Sequence, residues 1–235
     1  MKKIYLDPGH GGASVGAAYK GRKEQDDCLK LCLKVRDFLL TQKDIEVKMS
    51  RTTDVNPKIS DRCAEANKWG AGYFCSIHRN ANKPNTGTGA EIWVYSKVKK
   101  DGLTYKMAET ILKKLCAATG YKNRGVKLGA VNYADYGVNS QTKMSSCLIE
   151  VGFIDNDKDN EIFDKKFNEM AKAIAAGICE ANDVKWVEAA PAVDDDKMYI
   201  VQAGAFKDKA KAQEQVNKLK KAGFEAFVKE KDTTN

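Results

Sequence analysis

The side chains best suited to chemistry in this sequence are its two histidines, His10 and His78, and two glutamates. His10 lies in LDPGHGG and His78 in SIHRNAN, each directly after a short apolar run. Glu24 begins an amphipathic stretch, and Glu150 lies near the end of SSCLIEVGF. Two neutral imidazoles and one carboxylate are a common ligand set of catalytic zinc, with water in the fourth position. The sequence therefore suggests a zinc site formed by His10, His78 and Glu24. Glu150 is then a second carboxylate, which could accept a proton from the attacking water.

Each of these residues also has a structural interpretation. A lone histidine is more often structural than a metal ligand, and Glu24 can simply place a negative charge in the first turn of a helix. However, Cys28, Leu31 and Val35 follow Glu24 at helical spacing, which puts the glutamate on the buried stripe. A buried carboxylate is costly without a partner, so we expect Glu24 to have one.

Short β-rich runs alternate with helical patterns over the first 185 or so residues. The predicted strands are Lys3–Leu6, Ile45–Met49, Tyr73–Ile77, Glu91–Tyr95 and Leu148–Val151, and the predicted helices are Glu24–Leu40, Leu103–Thr119 and Phe167–Ala181. This alternation predicts an α/β fold, a twisted and mostly parallel sheet flanked by helices. His10, Arg51-Thr52, His78 and Glu150 lie at the carboxyl ends of separate predicted strands, where open α/β sheets bind ligands. Glu24 lies at the start of the first predicted helix.

The pattern changes near residue 185, where a Pro, Ala and acidic stretch without periodicity begins. We predict a catalytic domain over 1–185, a linker over 186–197 and a small C-terminal βαβ module over 198–235. In that module Tyr199–Phe206 and Phe224–Val228 are the predicted strands. The helix between them is capped by Asp208 and ends at Gly223. A unit this small cannot bury a core of its own.

Composition argues against several classes of partner. With 43% hydrophobic and 31% charged residues the chain resembles ordinary globular proteins, and no run approaches the roughly 20 apolar residues of a membrane span. The net charge is +8, but the lysines are dispersed, so a nucleic-acid partner is not expected. Seven scattered cysteines without a CxxC pair predict reduced thiols. The apolar run after Lys3 stops at Asp7, so we expect no secretion signal and synthesis in the cytoplasm.

Ordered motifs extend from residue 1 to about residue 180: LDPGHGG (6–12), Glu24, MSRTTD (49–54), Arg62 with Asn67, SIHRNAN (76–82), Gly89-Ala90-Glu91, RGVK (124–127) and LIEVGFIDN (148–156). This set resembles the zinc-dependent N-acetylmuramoyl-L-alanine amidases of the Amidase_3 type, found as bacterial autolysins and phage endolysins. The resemblance implies a zinc amidase (phosphorylase/hydrolase-like) fold and Zn²⁺ held by His10, Glu24 and His78. It makes Glu150 the catalytic acid/base.

The resemblance implies hydrolysis of the amide between the lactyl group of N-acetylmuramic acid and the L-alanine of the stem peptide, with cell-wall degradation and lysis. Arg51, Arg62 and Asn67 we interpret as structural, because motif loops are often held by internal hydrogen bonds. The segment Gly129–Thr142 is expected to line the substrate groove, but the sequence identifies no substrate-contacting residue.

The C-terminal unit, with YIVQAGAF and AGF, resembles a SPOR repeat, a module that binds peptidoglycan glycan strands. A complete SPOR domain has about two βαβ halves, and this unit has one. A half exposes a sheet edge, so we predict that two chains pair through it into a homodimer. The alternative is a degenerate, poorly ordered remnant.

Two other functions remain open from the sequence. The first is a zinc peptidase that cuts within the stem peptide, and the second is a non-catalytic wall-binding protein that kept the zinc site. Glu150 argues against the second. Without a signal peptide, the protein is expected to act on the wall after release, through phage holin lesions or mother-cell lysis.

Overall fold

The computed structural model describes residues 1–129, 135–188, 204–221 and 226–228, and the chain divides into two compact units, Met1–Ala189 and Ala190–Asn235. The strands described in the larger unit are β1 (Lys2–Pro8), β2 (Ala18–Tyr19), β3 (Arg22–Lys23), β4 (Ile45–Met49), β5 (Tyr73–Asn80), β6 (Ala90–Val94), β7 (Asn123–Leu128) and β8 (Ser145–Phe153). Its helices are α1 (Glu24–Leu40), α2 (Ile59–Trp69), α3 (Leu103–Thr119), α4 (Gly137–Ser140), α5 (Asp157–Lys165) and α6 (Phe167–Ala181).

Six of the strands form one sheet in the order β4-β1-β5-β8-β6-β7. All neighbouring pairs are parallel except β6 and β8, which are antiparallel. The α/β prediction of a mostly parallel sheet flanked by helices is therefore confirmed. The prediction missed β7, α2, α4, α5 and the short β2–β3 hairpin.

The two faces of the sheet bury different side chains because successive residues of a strand point to opposite faces. On β5, Tyr73, Cys75 and Ile77 belong to the larger core, which also contains buried residues of α1, α3 and α6. Phe74 belongs to a smaller core with Leu148 of β8 and residues of α2. The helices thus cover both faces and leave the carboxyl ends of the central strands to build a site.

Those carboxyl ends meet in the middle of the sheet. The amide of Gly9, just after β1, donates to Ile77 O on β5 at 3.0 Å. On the other side of β5, His78 is in register with Glu150 of β8. Strand order alone therefore brings the LDPGHGG turn, His78 and Glu150 to one edge.

All seven cysteines are unpaired thiols, as predicted, and all but Cys116 are buried. The Sγ atoms of Cys75 and Cys147 lie 3.8 Å apart on neighbouring strands. Cys28 and Cys32 pack into the interior from α1. Burial raises the pKa of both of these thiols well above its ordinary value, as expected of small core residues.

Contacts of the larger unit continue past its last helix. Val187 N donates to Gln42 Oε1 at 2.8 Å, and Gln42 Nε2 donates back to Val187 O at 3.0 Å. Lys172 and Glu188 form an ion pair at 2.5 Å. The start of the predicted linker, residues 186–188, is therefore held against the catalytic unit, and the remainder of the linker lies outside the described residues.

In the smaller unit the structure describes one helix, α7 (Lys209–Lys221). Asp208 Oδ1 accepts from Ala210 N at 2.7 Å, which confirms the predicted cap. Residues 199–203 of the predicted strand Tyr199–Phe206 lie outside the described part of the chain. So do residues 224–225 of the predicted strand Phe224–Val228. The described ends of both, 204–206 and 226–228, have no regular secondary structure. Among the described residues no helix has the length and apolar character needed to cross a membrane.

Candidate metal centre

Three polar side chains from three elements converge at the carboxyl edge of the sheet. His10 lies in the turn after β1, Glu24 is the first residue of α1, and His78 lies on β5. Glu24 Oε1 is 3.1 Å from His10 Nε2 and 2.9 Å from His78 Nδ1. One ligand atom from each residue lies within 4.8 Å of the others. The structure thus brings together the three residues that the sequence suggested as ligands.

The turn that carries His10 has an unusual backbone. His10 itself adopts a left-handed conformation with φ of 58°, and Gly11 follows with φ of 127°. A left-handed residue other than glycine persists only where its surroundings hold it. His10 Nδ1 is 3.3 Å from Ser14 Oγ, a contact that orients the ring with Nε2 toward Glu24. This arrangement matches the outer-shell hydrogen bond typical of metal-binding histidines.

Gly9 lets the turn approach β5 closely. A Cβ atom at Gly9 would come within 2.4 Å of the His78 ring, so any larger residue would displace that imidazole. The planes of the two histidine rings meet at 77°, with their centroids 4.9 Å apart. The small size of Gly9 therefore allows the two imidazole rings to lie close together.

Glu24 is held as an ionised carboxylate. Its side chain is 6% exposed, Oε2 accepts from Ala17 N at 2.8 Å and Oε1 accepts from Arg79 N at 3.1 Å. Burial by itself would raise the pKa of Glu24, but hydrogen bonds from His10 and His78 outweigh burial and lower the pKa well below its usual range. Metal ligands must be deprotonated, so this environment suits a cation.

The donor set also fits zinc in its chemistry. Two imidazoles and one carboxylate leave one tetrahedral position for water or substrate, as in catalytic zinc sites. Within the described ranges, these residues form the one group of three or more His, Cys, Asp or Glu side chains close enough to hold a metal ion. The cluster is therefore the candidate metal centre of the chain.

Glu150 lies beside this cluster as a buried carboxyl group. It is in register with His78 on one side and with Glu91 on the other. Its Oε2 atom is buried and has no hydrogen-bond partner among the described residues. Burial raises the pKa of Glu150 well above its ordinary value, and the charges of Glu24 and Glu91 raise it further, whereas Arg79 lowers it. An unsatisfied carboxyl oxygen of this kind is free to exchange a proton with a molecule in the site.

Glu91 lies next to Glu150 on the neighbouring strand, and the sequence analysis gave it no role. Its Oε1 accepts from Asn80 Nδ2 at 2.9 Å and from Trp93 Nε1 at 3.0 Å, and its Oε2 accepts from Arg124 Nε at 2.8 Å. Both oxygens are thus occupied, in contrast to Glu150. The motif positions GAE and RGVK were visible, but their contact depends on the pairing of β6 with β7, and the position of Glu91 opposite Glu150 depends on β6 running antiparallel to β8. No local pattern indicates either pairing.

The residues interpreted as structural all bond to loop backbone. Arg51 and Arg62 bond to the His10 turn. Asn67 Nδ2 donates to Gln141 O at 3.0 Å, and Asn67 Oδ1 accepts from Lys143 N at 2.9 Å. These two bonds tie the segment before β8 to α2. Of the predicted groove segment, residues 130–134 lie outside the described part of the chain.

Comparison with known proteins gives two family matches. The model described as N-acetylmuramoyl-L-alanine amidase, Amidase_3, matches residues 4–180, and the model described as SPOR domain matches residues 193–235. All four residues of the candidate site lie in the first match.

Similar proteins cover nearly the whole chain. N-acetylmuramoyl-L-alanine amidase CwlM of Bacillus licheniformis is 35% identical over 238 residues, spanning 99% of this chain and 87% of its own length. A sporulation-specific N-acetylmuramoyl-L-alanine amidase of Bacillus subtilis is 34% identical over 235 residues, spanning 99% of this chain and 86% of its own length. The crystal structure of an N-acetylmuramoyl-L-alanine amidase from Clostridium difficile 630 matches with a TM-score of 0.72 and 32% identity, covering 78% of this chain and 98% of that one.

Proposed function

This chain belongs to the Amidase_3 family of N-acetylmuramoyl-L-alanine amidases, and from that premise we propose that it is a peptidoglycan hydrolase. The bond cleaved is the amide between the lactyl group of N-acetylmuramic acid and the L-alanine of the stem peptide. One observation carries the proposal: His10, Glu24 and His78 converge at the sheet edge beside the unsatisfied carboxyl of Glu150. Cleavage of this bond degrades the wall and leads to lysis.

We propose that His10, Glu24 and His78 hold a zinc ion. When bound, zinc supplies a Lewis acid that polarises the scissile carbonyl and acidifies water. The chain contributes the orientation of its ligands: Ser14 positions the His10 ring, and the amides of Ala17 and Arg79 fix the Glu24 carboxylate. These contacts hold the ligands in place before any metal arrives.

Glu150 is the proposed acid/base. Its carboxylate accepts a proton from the attacking water and then donates that proton to the departing amino group of L-alanine. Glu150 thus returns to its starting carboxylate form at the end of the reaction. The register of Glu150 with His78 on the neighbouring strand supports this role. The engaged oxygens of Glu91 make that residue a less suitable base.

Chelation is expected to abolish hydrolysis of purified cell walls. The parent chain should contain about one zinc per molecule, lose at least ~100-fold in rate after treatment with 1,10-phenanthroline and recover on addition of zinc. The products should carry new amino groups on L-alanine alone. New amino groups on other stem-peptide residues would indicate the peptidase instead, and walls left intact by the zinc-loaded chain would contradict enzymatic function.

For the C-terminal unit we propose binding to peptidoglycan glycan strands and pairing with a second copy. The SPOR match supports the first of these. For the second, Phe206 and Phe227 are 47% and 79% exposed, and Val216 is the only buried residue of α7 among those described. We propose that these exposed aromatic side chains contribute to the contact between the two copies.

The mass of the chain in solution tests the pairing. Light scattering should give about twice the 26.0 kDa chain mass for the full chain and a monomer for a version that ends after Glu188. This end point keeps the Gln42–Val187 contacts. The substitution Phe227→Glu should weaken the dimer without shortening the chain. Monomeric masses for both lengths would contradict the pairing.

We propose that the protein acts on the wall after release from the cell that makes it. Both phage holin lesions and mother-cell lysis would allow this. Similarity to a sporulation-specific amidase over 99% of the chain supports release from a mother cell.

A further inference from the structure

Arg51 is a buried arginine beside the candidate metal centre. The residue is 3% exposed, and among the described residues its guanidinium forms no ion pair. The other arginines near the site differ, because Arg62 pairs with Asp7 at 3.0 Å and Arg79 pairs with Asp27 at 2.5 Å. Burial lowers the pKa of Arg51 from its ordinary value, although arginine remains a cation in proteins.

The guanidinium of Arg51 donates only to backbone carbonyls. Nη2 donates to Gly9 O at 2.7 Å and to Gln25 O at 2.8 Å. Nε donates to Pro8 O at 3.1 Å, and Nη1 donates to Thr53 O at 3.2 Å. A single planar group therefore joins three separate segments of the chain.

Two of those segments carry the metal ligands. Gly9 immediately precedes His10, and Gln25 immediately follows Glu24. Gly9 also contacts the third ligand, because a Cβ atom there would lie 2.4 Å from the His78 ring. The bonds from Arg51 Nη2 thus fix the distance between the backbone of the His10 turn and the first turn of α1.

The strain in the turn explains why such a bridge is needed. His10 has a φ of 58°, and this conformation persists only when neighbouring groups hold it. Arg62 holds one side of the turn, with Nη2 bonded to His10 O and Nη1 to Pro8 O, both at 3.1 Å. Arg62 does not reach α1 in the described contacts, so Arg51 alone of the two arginines links His10 to Glu24.

A buried, unpaired cation is an expensive way to stabilise a fold. Replacing buried charges by apolar side chains of similar size is often neutral or stabilising. Packing of the loop could therefore be achieved without a guanidinium. What an apolar side chain cannot do is hold four carbonyls from three segments at fixed separations.

We infer that Arg51 is a positioning residue of the metal centre: its guanidinium sets the spacing between the His10 turn and the Glu24 end of α1, and thereby sets the affinity for zinc. This inference rests on the proposed function. It makes Arg51 act through its neighbours, since its own donors are all directed at backbone carbonyls.

Zinc affinity measured with a competing chromophoric chelator tests this role on the full chain. Arg51→Met should raise the zinc dissociation constant about 10- to 100-fold, the range found for outer-shell partners of metal ligands. Arg51→Lys should raise it about tenfold, because one ammonium cannot span the same carbonyls. Arg51→Lys keeps the charge and supplies the measurement if the methionine variant does not fold.

A core variant separates positioning from loss of stability. Leu115 of α3 is fully buried in the larger core, so Leu115→Ala should lower the unfolding temperature and leave zinc affinity within about twofold of the parent. Equal zinc affinity in the parent and both Arg51 variants would overturn the role of Arg51 and leave the amidase proposal standing. So would a loss of affinity that Leu115→Ala reproduces. A parent chain that binds no zinc would overturn the metal centre itself.

Discussion

Glu150→Gln should lower kcat/KM on purified walls by about a thousandfold and leave the zinc content of the chain unchanged. Glutamine has nearly the shape of glutamate, but its amide cannot accept a proton from water at neutral pH. Glu150 contributes no ligand atom to the His10, Glu24 and His78 cluster, so metal binding should survive. Wall turbidity and metal analysis on the same preparation measure the two effects together.

The same substitution should leave the fold intact or more stable. Because burial raises the pKa of Glu150, the folded chain holds this proton to a higher pH than the unfolded chain does. Glu150 therefore lowers the free energy of unfolding increasingly as the pH rises above the ordinary pKa of a glutamate. At neutral pH the metal-free glutamine variant should unfold at the same or a higher temperature than the metal-free parent.

Glu161 offers a matched control for this substitution. It lies on α5, where it pairs with Lys165 at 2.6 Å on the surface, and Glu161→Gln should change neither rate nor zinc content. If Glu150→Gln lyses walls as fast as the parent, Glu150 is not the acid/base. If it loses zinc as well as activity, Glu150 contributes to the metal centre, contrary to the arrangement described above.

His10→Ala should lose zinc and activity together, with zinc affinity reduced by about a thousandfold or more. The substitution removes one of the three proposed ligands, and Glu24 and His78 alone should not hold the ion tightly. Alanine keeps the left-handed backbone strain of about 1 kcal/mol that His10 already carries.

His10→Gly separates these two effects. Glycine adopts a φ of 58° without strain, so this variant should be more stable than the alanine variant and should bind zinc equally poorly. Competition with a chelator and thermal unfolding of the metal-free chains give both values. Retention of parent-like zinc affinity in either variant would remove His10 from the metal centre.

Sustained periodicity made parts of the fold predictable. The bounds of α1, α3 and α6 agree with the sequence prediction because each has a continuous apolar face. By contrast, β7 reads NRGVKL and lies half-buried at the edge of the sheet, so it lacks the apolar alternation of a typical strand. The helix α2 was missed because its fully buried apolar residues are only Cys63 and Ala66, with Trp69 partly buried, in an otherwise polar sequence.

The sequence predicted the site residues that lie at strand ends or at a helix start. It did not predict the neighbour whose position depends on the antiparallel direction of β6. His10, Glu24 and His78 follow from parallel neighbours and a helix start, which local patterns indicate. Contact between Glu91 and the site depends on β6 running against β8, a non-local choice that leaves no mark on either strand. Three of the four bonds of Arg51 are equally non-local, so the sequence alone indicated only a structural role for that residue.

The paired hydrogen bonds between Gln42 and Val187 also define where the catalytic unit can be joined to something else. The described contacts of the catalytic unit extend to Glu188. A foreign wall-binding module fused after that residue would therefore leave the contacts of Val187 and Glu188 in place. A junction two or three residues earlier would cut into those contacts. The chain is thus suited to module exchange, in which the enzyme keeps its chemistry and acquires a new cellular target.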